Sequence, residues 1–165
     1  LLFMKRSHSL LYTCLVSAVL TACGGDNAPA PTPLTLQGTA ARGFAVSLAS
    51  VSAKCSGQST PVSTTTAVDG TYRFAFSGGV ALPCILKLND PMGNMYTLVE
   101  EGGTNVTANI TPLTNMQTAV AAGTDGSILF TKFSGNFLSS TKGLRLQKAQ
   151  NEIVNAFAPV VLKKM

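Results

Sequence analysis

Side chains that carry acid–base chemistry are scarce in this chain of 165 residues, which has one histidine and seven acidic residues. His8 lies in an N-terminal segment that we expect to be removed, which would leave no imidazole base for a catalytic triad. A transition-metal site would then need carboxylates or thiolates. Asp69 and Asp125 each precede a glycine, as turn residues do. The adjacent Glu100 and Glu101 would point to opposite faces of a strand, not across a glycosidase cleft. We therefore expect no catalytic residue, no cofactor and no metal site.

Residues 1–22 have the pattern of a secretory signal peptide. Lys5 and Arg6 form a short positive region after Met4, and a mostly apolar stretch follows at residues 10–20. A transmembrane helix needs about 20 apolar residues, so this stretch is too short to span a bilayer. It has the length of the apolar region of a signal peptide.

The motif at the end of this segment involves a cysteine. Leu20-Thr21-Ala22-Cys23 resembles the lipobox of bacterial lipoproteins. The resemblance implies cleavage before Cys23, which becomes the lipid-modified N-terminus and the contact with membrane lipid. One acyl chain holds a bilayer only marginally, so lasting attachment takes two or three. Cys14 is a poor rival acceptor because Tyr12 is bulky where the lipobox has a small residue. The alternative is an ordinary secreted protein in which Cys23 is incidental.

The lipobox leads to one expectation about the destination of the protein and one about a disulfide. Gly24, rather than aspartate, follows Cys23, which resembles lipoproteins exported to the outer membrane. The exported chain would enter an oxidising compartment with Cys55 and Cys84 as an even pair, which we expect to form a disulfide. Closing that loop contributes about 3–4 kcal/mol in the chain-entropy model. Because the Cys-x-x-Cys spacing of a redox pair is absent, a structural role is favoured.

The segment that follows the signal peptide is rich in proline. Residues 23–33 comprise Cys23 and a proline-rich tether in which Pro29, Pro31 and Pro33 recur at every second position. Such a tether is extended and semi-rigid, with a reach of roughly 30 Å.

After removal of residues 1–22, ten basic and seven acidic residues remain, a net charge of +3. This weak excess is spread along the chain, so we expect no nucleic-acid partner.

Residues 34–112 alternate apolar and polar side chains with the period of a strand. We expect seven short strands, and Asp69-Gly70 marks a tight turn before the fourth. Cys84 should point inward with its apolar neighbours. No helices intervene, which favours an antiparallel β-sandwich over a parallel sheet, with a barrel as the competing closure. The apolar positions of the seven predicted strands are Leu34/Leu36, Phe44/Val46/Leu48, Val51/Ala53/Cys55, Tyr72/Phe74/Phe76, Cys84/Leu86/Leu88, Tyr96/Leu98 and Val106/Ala108/Ile110.

Several segments carry a family resemblance. The run from Leu36 to Val46, the Thr66-Ala-Val-Asp-Gly-Thr-Tyr-Arg-Phe hairpin, Pro83-Cys84 and Asn109-Ile-Thr-Pro-Leu-Thr resemble proteobacterial outer-membrane lipoproteins. Those proteins carry a domain similar to the carboxypeptidase-regulatory, or transthyretin-like, β-sandwich. The resemblance covers residues 36–114 and implies an Ig-like or transthyretin-like sandwich that is accessory and has no catalytic residues. In such lipoproteins the Thr-Pro-Leu-Thr element leads into a longer helical region, whereas this chain stops at Met165, and truncation of the C-terminus stays an open alternative.

Residues 113–165 read as a short helical extension. A helix is predicted over 113–122, followed by a break at 123–126 and an aromatic cluster of Phe130, Phe133 and Phe137 in a loop or weak helix. A second helix is predicted over 144–158, ended by Pro159. Its apolar stripe should pack on the sandwich or the first helix; a partner-binding surface is the alternative. The stripe comprises Leu146, Ala149, Ile153, Val154 and Phe157.

Three functional hypotheses remain open. The first is a non-enzymatic, membrane-anchored lipoprotein whose β-sandwich presents an interaction face to a protein or glycan through loops at one end. The second is the accessory module of a truncated envelope hydrolase. The third is a lipoprotein component of an envelope-spanning assembly.

Overall fold

The computed structural model describes residues 32–134 and 144–162, and in this part the protein is mainly β. Two sheets face each other, and three helices follow them along the chain. None of the helices in these ranges combines the length and apolarity that crossing a bilayer requires. The strands are β1 Leu34–Thr39, β2 Ser50–Ser56, β3 Val62–Thr65, β4 Thr71–Phe76, β5 Ala81–Asn89, β6 Met95–Val99 and β7 Asn105–Thr107, and the helices are α1 Pro112–Ala122, α2 Gly126–Lys132 and α3 Leu144–Leu162.

The two sheets have different sizes and connect as a sandwich does. One has the order β4–β1–β7 and the other β3–β2–β5–β6. All pairs are antiparallel except β1 with β7, which run parallel. The predicted sheet was antiparallel throughout, so this pair differs. The reason is the connection between the sheets. β6 ends on the side of the sandwich where β1 begins, so β7 starts on that side and runs in the same direction as β1.

The main core lies between the sheets and follows the predicted alternation. Tyr72, Phe74 and Phe76 of β4 are buried while their neighbours are exposed. The rings of Phe74 and Phe76 stack with centroids 5.8 Å apart. Leu36 and Leu86 are fully buried from opposite sheets. Such alternation buries one face of each strand and leaves the other to solvent.

The four-stranded sheet is covered on its outer face as well. Ile85, Tyr96 and Leu98 form a second buried cluster with Leu129 of α2. For this reason every residue of β6 is buried, where a simple sandwich would expose alternate ones. The helices therefore form a third layer, and no described element covers the outer face of the three-stranded sheet.

One predicted strand is wrong. The alternation of Phe44, Val46 and Leu48 suggested a strand, but residues 42–49 form a loop in which Phe44 is 62% and Leu48 73% exposed. Gly43 at φ 84° and Leu48 at φ 54° turn the chain out of the extended conformation. The strand that the sequence did not reveal is β3, whose run of small hydroxyl residues has no apolar alternation.

The helical extension also departs from expectation at two points. α3 continues through Pro159 to Leu162 instead of ending there. A proline this close to the C-terminus removes only the bond to the carbonyl four residues earlier, and the last turn still forms. Of the predicted stripe, Ala149 and Ile153 are buried, whereas Val154 and Phe157 are more than half exposed. α2 forms from Gly126 around Phe130, and Phe137 lies outside the described residues.

Gly38 provides a test of how closely β1 approaches the segment after β7. A Cβ on Gly38 would overlap the carbonyl oxygen of Ala108 and lie 2.7 Å from its carbonyl carbon. Both are backbone atoms, so the strands would have to separate. Gly38→Ala should lower the free energy of unfolding by about 1–3 kcal/mol, measured by urea denaturation. Gly103→Ala is the matched control because a Cβ there meets nothing within 4 Å; equal stability of the two variants would contradict this packing.

Candidate functional site

The residues that the sequence singled out lie far apart in the chain. Cys23, the proposed lipid acceptor, lies outside the described residues, as does most of the tether. Cys55 and Cys84 are joined by a disulfide, with their Cα atoms 4.0 Å apart. They sit directly opposite each other in β2 and β5 and are 2% and 0% exposed. This bond staples the two central strands inside the core, where it is shielded from solvent.

The paired glutamates have separate environments. Glu101 is exposed, whereas Glu100 is 2% exposed. One carboxylate oxygen of Glu100 accepts a hydrogen bond from the N–H of Leu146, 3.1 Å away in the first turn of α3. The other oxygen has no hydrogen-bond partner in the described part of the chain. Glu100 therefore attaches the last helix to the end of β6, and no carboxylate of the described residues faces it across a cleft.

The strands define two ends of the sandwich. The chain enters at Leu34, and we call this the proximal end; Phe76 of β4 lies opposite Leu34 there. At the other, distal end, Thr39 lies opposite Thr71 and Ser50 opposite Asn89. Residues 40–49, 66–70 and 90–94 are therefore all distal loops.

The distal loops are tied to one another. The guanidinium of Arg42 donates from Nε to the carboxylate of Asp90, 2.6 Å away, and from a terminal nitrogen to the carbonyl of Gly93. Thr66, almost fully buried, donates its hydroxyl to the carbonyl of Val46 and accepts from the N–H of Ala49. These bonds hold three loops as one surface although they belong to different connections.

Four large apolar side chains project from these loops. Phe44, Leu48, Val68 and Met92 are each more than 60% exposed. Leu48 also holds a positive φ, a conformation that costs a non-glycine residue of order 1–3 kcal/mol and clusters at functional sites. Exposed apolar groups brought together on interlocked loops are typical of a contact surface.

A cleft of about 810 Å³ begins beside Leu48 and is lined mainly by hydroxyl and amide side chains. Its floor is the uncovered outer face of the three-stranded sheet, and it extends around β4 towards β3. The only charged lining residue is Arg73. The remaining lining residues are Gln37, Gly38, Thr39, Leu48, residues 64–67, Thr71, Tyr72, Thr107 and Asn109.

The only aromatic side chain in the cleft wall is buried. Tyr72 is 5% exposed and its hydroxyl donates to the carbonyl of Ala108. Burial raises the pKa of this phenol far above its usual range. Tyr72 is thus a neutral structural group and presents no ring face to a ligand.

The sequence analysis did not find this cleft. The alternation of apolar and polar residues places Thr39, Thr71 and Thr107 on the outer face of their strands, which is correct. The pattern does not reveal that none of the described helices covers this face. Within residues 32–134 and 144–162, no group of three histidine, cysteine, aspartate or glutamate side chains could hold a metal ion.

Comparisons with known proteins add a limited finding. No protein-family model and no curated protein matches the chain. Among solved structures, the chain is similar to a DUF3823 family protein from Parabacteroides merdae at 19% identity and a TM-score of 0.35. The match covers 50% of this chain and 47% of that one.

The ion pair between distal loops should respond to pH. The N–H of Met92, and after it the Arg42 guanidinium, hold the pKa of the Asp90 carboxyl below its ordinary value. A lowered folded-state pKa gives stability that is present above the unfolded pKa and is lost as the pH falls through the folded one. We expect urea unfolding of Asp90→Asn to depend less steeply on pH below about 4 than that of the wild type.

Glu101→Gln provides the control for this comparison, because it removes an exposed carboxylate that makes no hydrogen bond within the described part of the chain. Asp90→Asn should differ from the wild type more than Glu101→Gln does. Identical acid sensitivity of Asp90→Asn and the wild type would show that the Arg42–Asp90 pair does not hold the loops.

Proposed function

We propose that this protein is a non-enzymatic lipoprotein of the outer membrane, anchored through acylated Cys23, that presents its β-sandwich as an interaction module. The observation that carries the proposal is that the two ends of the sandwich differ. The chain enters at Leu34, while the exposed apolar residues of the interlocked loops lie at the opposite end. A tether at one end and a contact surface at the other is the arrangement an anchored binding module requires.

The anchor is inferred from residues 1–33. The lipobox at Leu20-Thr21-Ala22-Cys23 and Gly24 support lipidation and export to the outer membrane. On the sequence expectation of an extended tether, its ten residues would hold the sandwich roughly 30 Å from the lipid surface. The distal loops would then face away from the membrane to which the chain is attached, where a partner in the envelope can reach them.

The non-enzymatic role is supported by the carboxylates and the disulfide. Glu100 is committed to the backbone of α3, and Cys55 and Cys84 are buried in their bond. Asp69 and Asp125 bond the local backbone, at Thr71 and Ser127, in a turn and at a helix start. A transthyretin-like accessory sandwich of the carboxypeptidase-regulatory type is the class we assign, and it acts by binding.

Metabolic labelling with radioactive palmitate tests the anchor. Cells producing the full chain should incorporate label and retain the protein in the outer-membrane fraction. Cys23→Ser should abolish the label, because the thiolate that accepts the lipid is gone. Cys14→Ser, which changes the other cysteine of the same segment, should label as the wild type does. Unlabelled wild-type protein, or labelled Cys23→Ser, would overturn the proposal.

A further inference from the structure

Of the four edge strands, only β6 has its outward backbone groups bonded by a helix in the described part of the chain. β6 is an edge strand by order, but α1 covers it: the N–H of Tyr96 donates to Asn115 at 2.8 Å and that of Leu98 to Thr118 at 3.0 Å. β3, β4 and β7 have no such cover among the described residues and pair with one strand each. An uncovered edge presents unpaired N–H and C=O groups that can pair with another chain.

The hydrogen bonds show which groups of β4 point outward. The N–H of Thr35 and the carbonyls of Gln37 and Thr39 bond on the β7 side of β1. The residues of β1 that alternate with these three therefore bond towards β4. Their β4 partners are Tyr72, Phe74 and Phe76. The backbone N–H and C=O groups of Arg73 and Ala75 therefore face away from β1, because strand residues alternate in direction. No described strand lies there.

The two faces of β4 differ in chemistry. Phe74 and Phe76 point into the core, so an added strand would place apolar side chains beside them. Arg73 points to the outer face and into the cleft. Among the described residues Arg73 has no ion pair. A strand added here would meet a positive charge on one face and aromatic rings on the other.

We propose that the β4 edge binds an extended peptide segment of a partner protein by antiparallel or parallel strand addition, with apolar residues alternating with hydroxyl and acidic ones. Affinity comes from backbone hydrogen bonds to Arg73 and Ala75, and specificity from alternate side chains. The acidic residues lie beside Arg73. This inference rests on the proposed function of a binding module and goes beyond it, since it adds a site on the β4 edge to the contact surface of the distal loops.

The cleft favours a peptide over a glycan. Sites for compact ligands are concave and largely lined by apolar and aromatic groups. This cleft is open and polar, and its one aromatic side chain, Tyr72, is buried. β4 is also the better edge for addition, since it has six residues and a charge, whereas β3 has four residues, β7 has three, and neither carries a charge.

A binding measurement with a defined probe tests the proposal. The probe is a fluorescent nine-residue peptide, Thr-Val-Asp-Val-Thr-Val-Asp-Val-Thr, titrated by anisotropy with the full chain in detergent. The readout does not depend on acylation, so its failure is distinct from failure of the palmitate experiment. Two further probes carry N-methyl groups at the odd or at the even positions. Strand addition predicts that only one of them loses binding, since alternate N–H groups face β4.

Variants of the protein locate the edge. Ala75→Pro removes the outward N–H of β4 while leaving the bonds of its neighbours to β1, and should weaken binding about tenfold. Ser63→Pro on β3 is the matched control and should bind as the wild type does. Arg73→Glu should weaken the aspartate probe about tenfold and favour a probe with lysine in its place.

Several results would overturn the proposal. They are equal binding of both N-methylated probes, wild-type affinity of Ala75→Pro, and no binding at about 1 mM peptide. Displacement of the probe by soluble envelope oligosaccharides, with no dependence on N-methylation, would identify a glycan site instead.

Discussion

The backbone groups at the edges of a sheet have to find hydrogen-bond partners, and this requirement organises the whole molecule. Each unpaired N–H or C=O that is buried costs about as much as a lost hydrogen bond. The four-stranded sheet meets the requirement at β6 with α1, whose Asn115 and Thr118 side chains accept the strand's N–H groups. The helical layer, the second apolar cluster and the burial of both faces of β6 all follow from that cover.

The disulfide has a related role at the centre of the same sheet. Cys55 and Cys84 join the two strands that form the longest ladder, and they do so from the buried face. A two-layer domain this small has a thin core, which makes a covalent link a useful stabiliser. The disulfide and the helices all act on the four-stranded sheet, and within residues 32–134 and 144–162 nothing covers the outer face of the three-stranded one. That asymmetry places the cleft on the side of the molecule away from the helices.

The sequence predicts most of this architecture where one physical signal dominates. Period-two alternation located β1, β2, β4, β5 and β6, since burial on one face leaves a direct pattern. The same rule failed at residues 42–49, where Leu48 has a positive φ and Thr66 bonds the loop from a different connection. It also missed β3, because an exposed edge strand of threonines buries nothing. The local rule that a proline ends a helix also failed at Pro159, because the last turn of α3 tolerates the proline.

The candidate site was less predictable than the fold. Arg73 and the threonines of the cleft look like ordinary surface positions, and only the sheet order reveals that they border an open edge. The covering of β6 depends on two side chains of α1 that meet the strand about 20 residues away in sequence. Such contacts leave no pattern in the sequence, whereas the lipobox is a local motif that can be recognised from the sequence alone.

Amide hydrogen exchange, resolved residue by residue, tests the difference between the two edges most directly. The account predicts slow exchange at Tyr96 and Leu98, whose N–H groups are bonded to α1, and at Tyr72 and Phe74, whose N–H groups face β1. It predicts fast exchange at Arg73 and Ala75. Equal protection at all six positions would contradict it, because β4 would then be covered as β6 is.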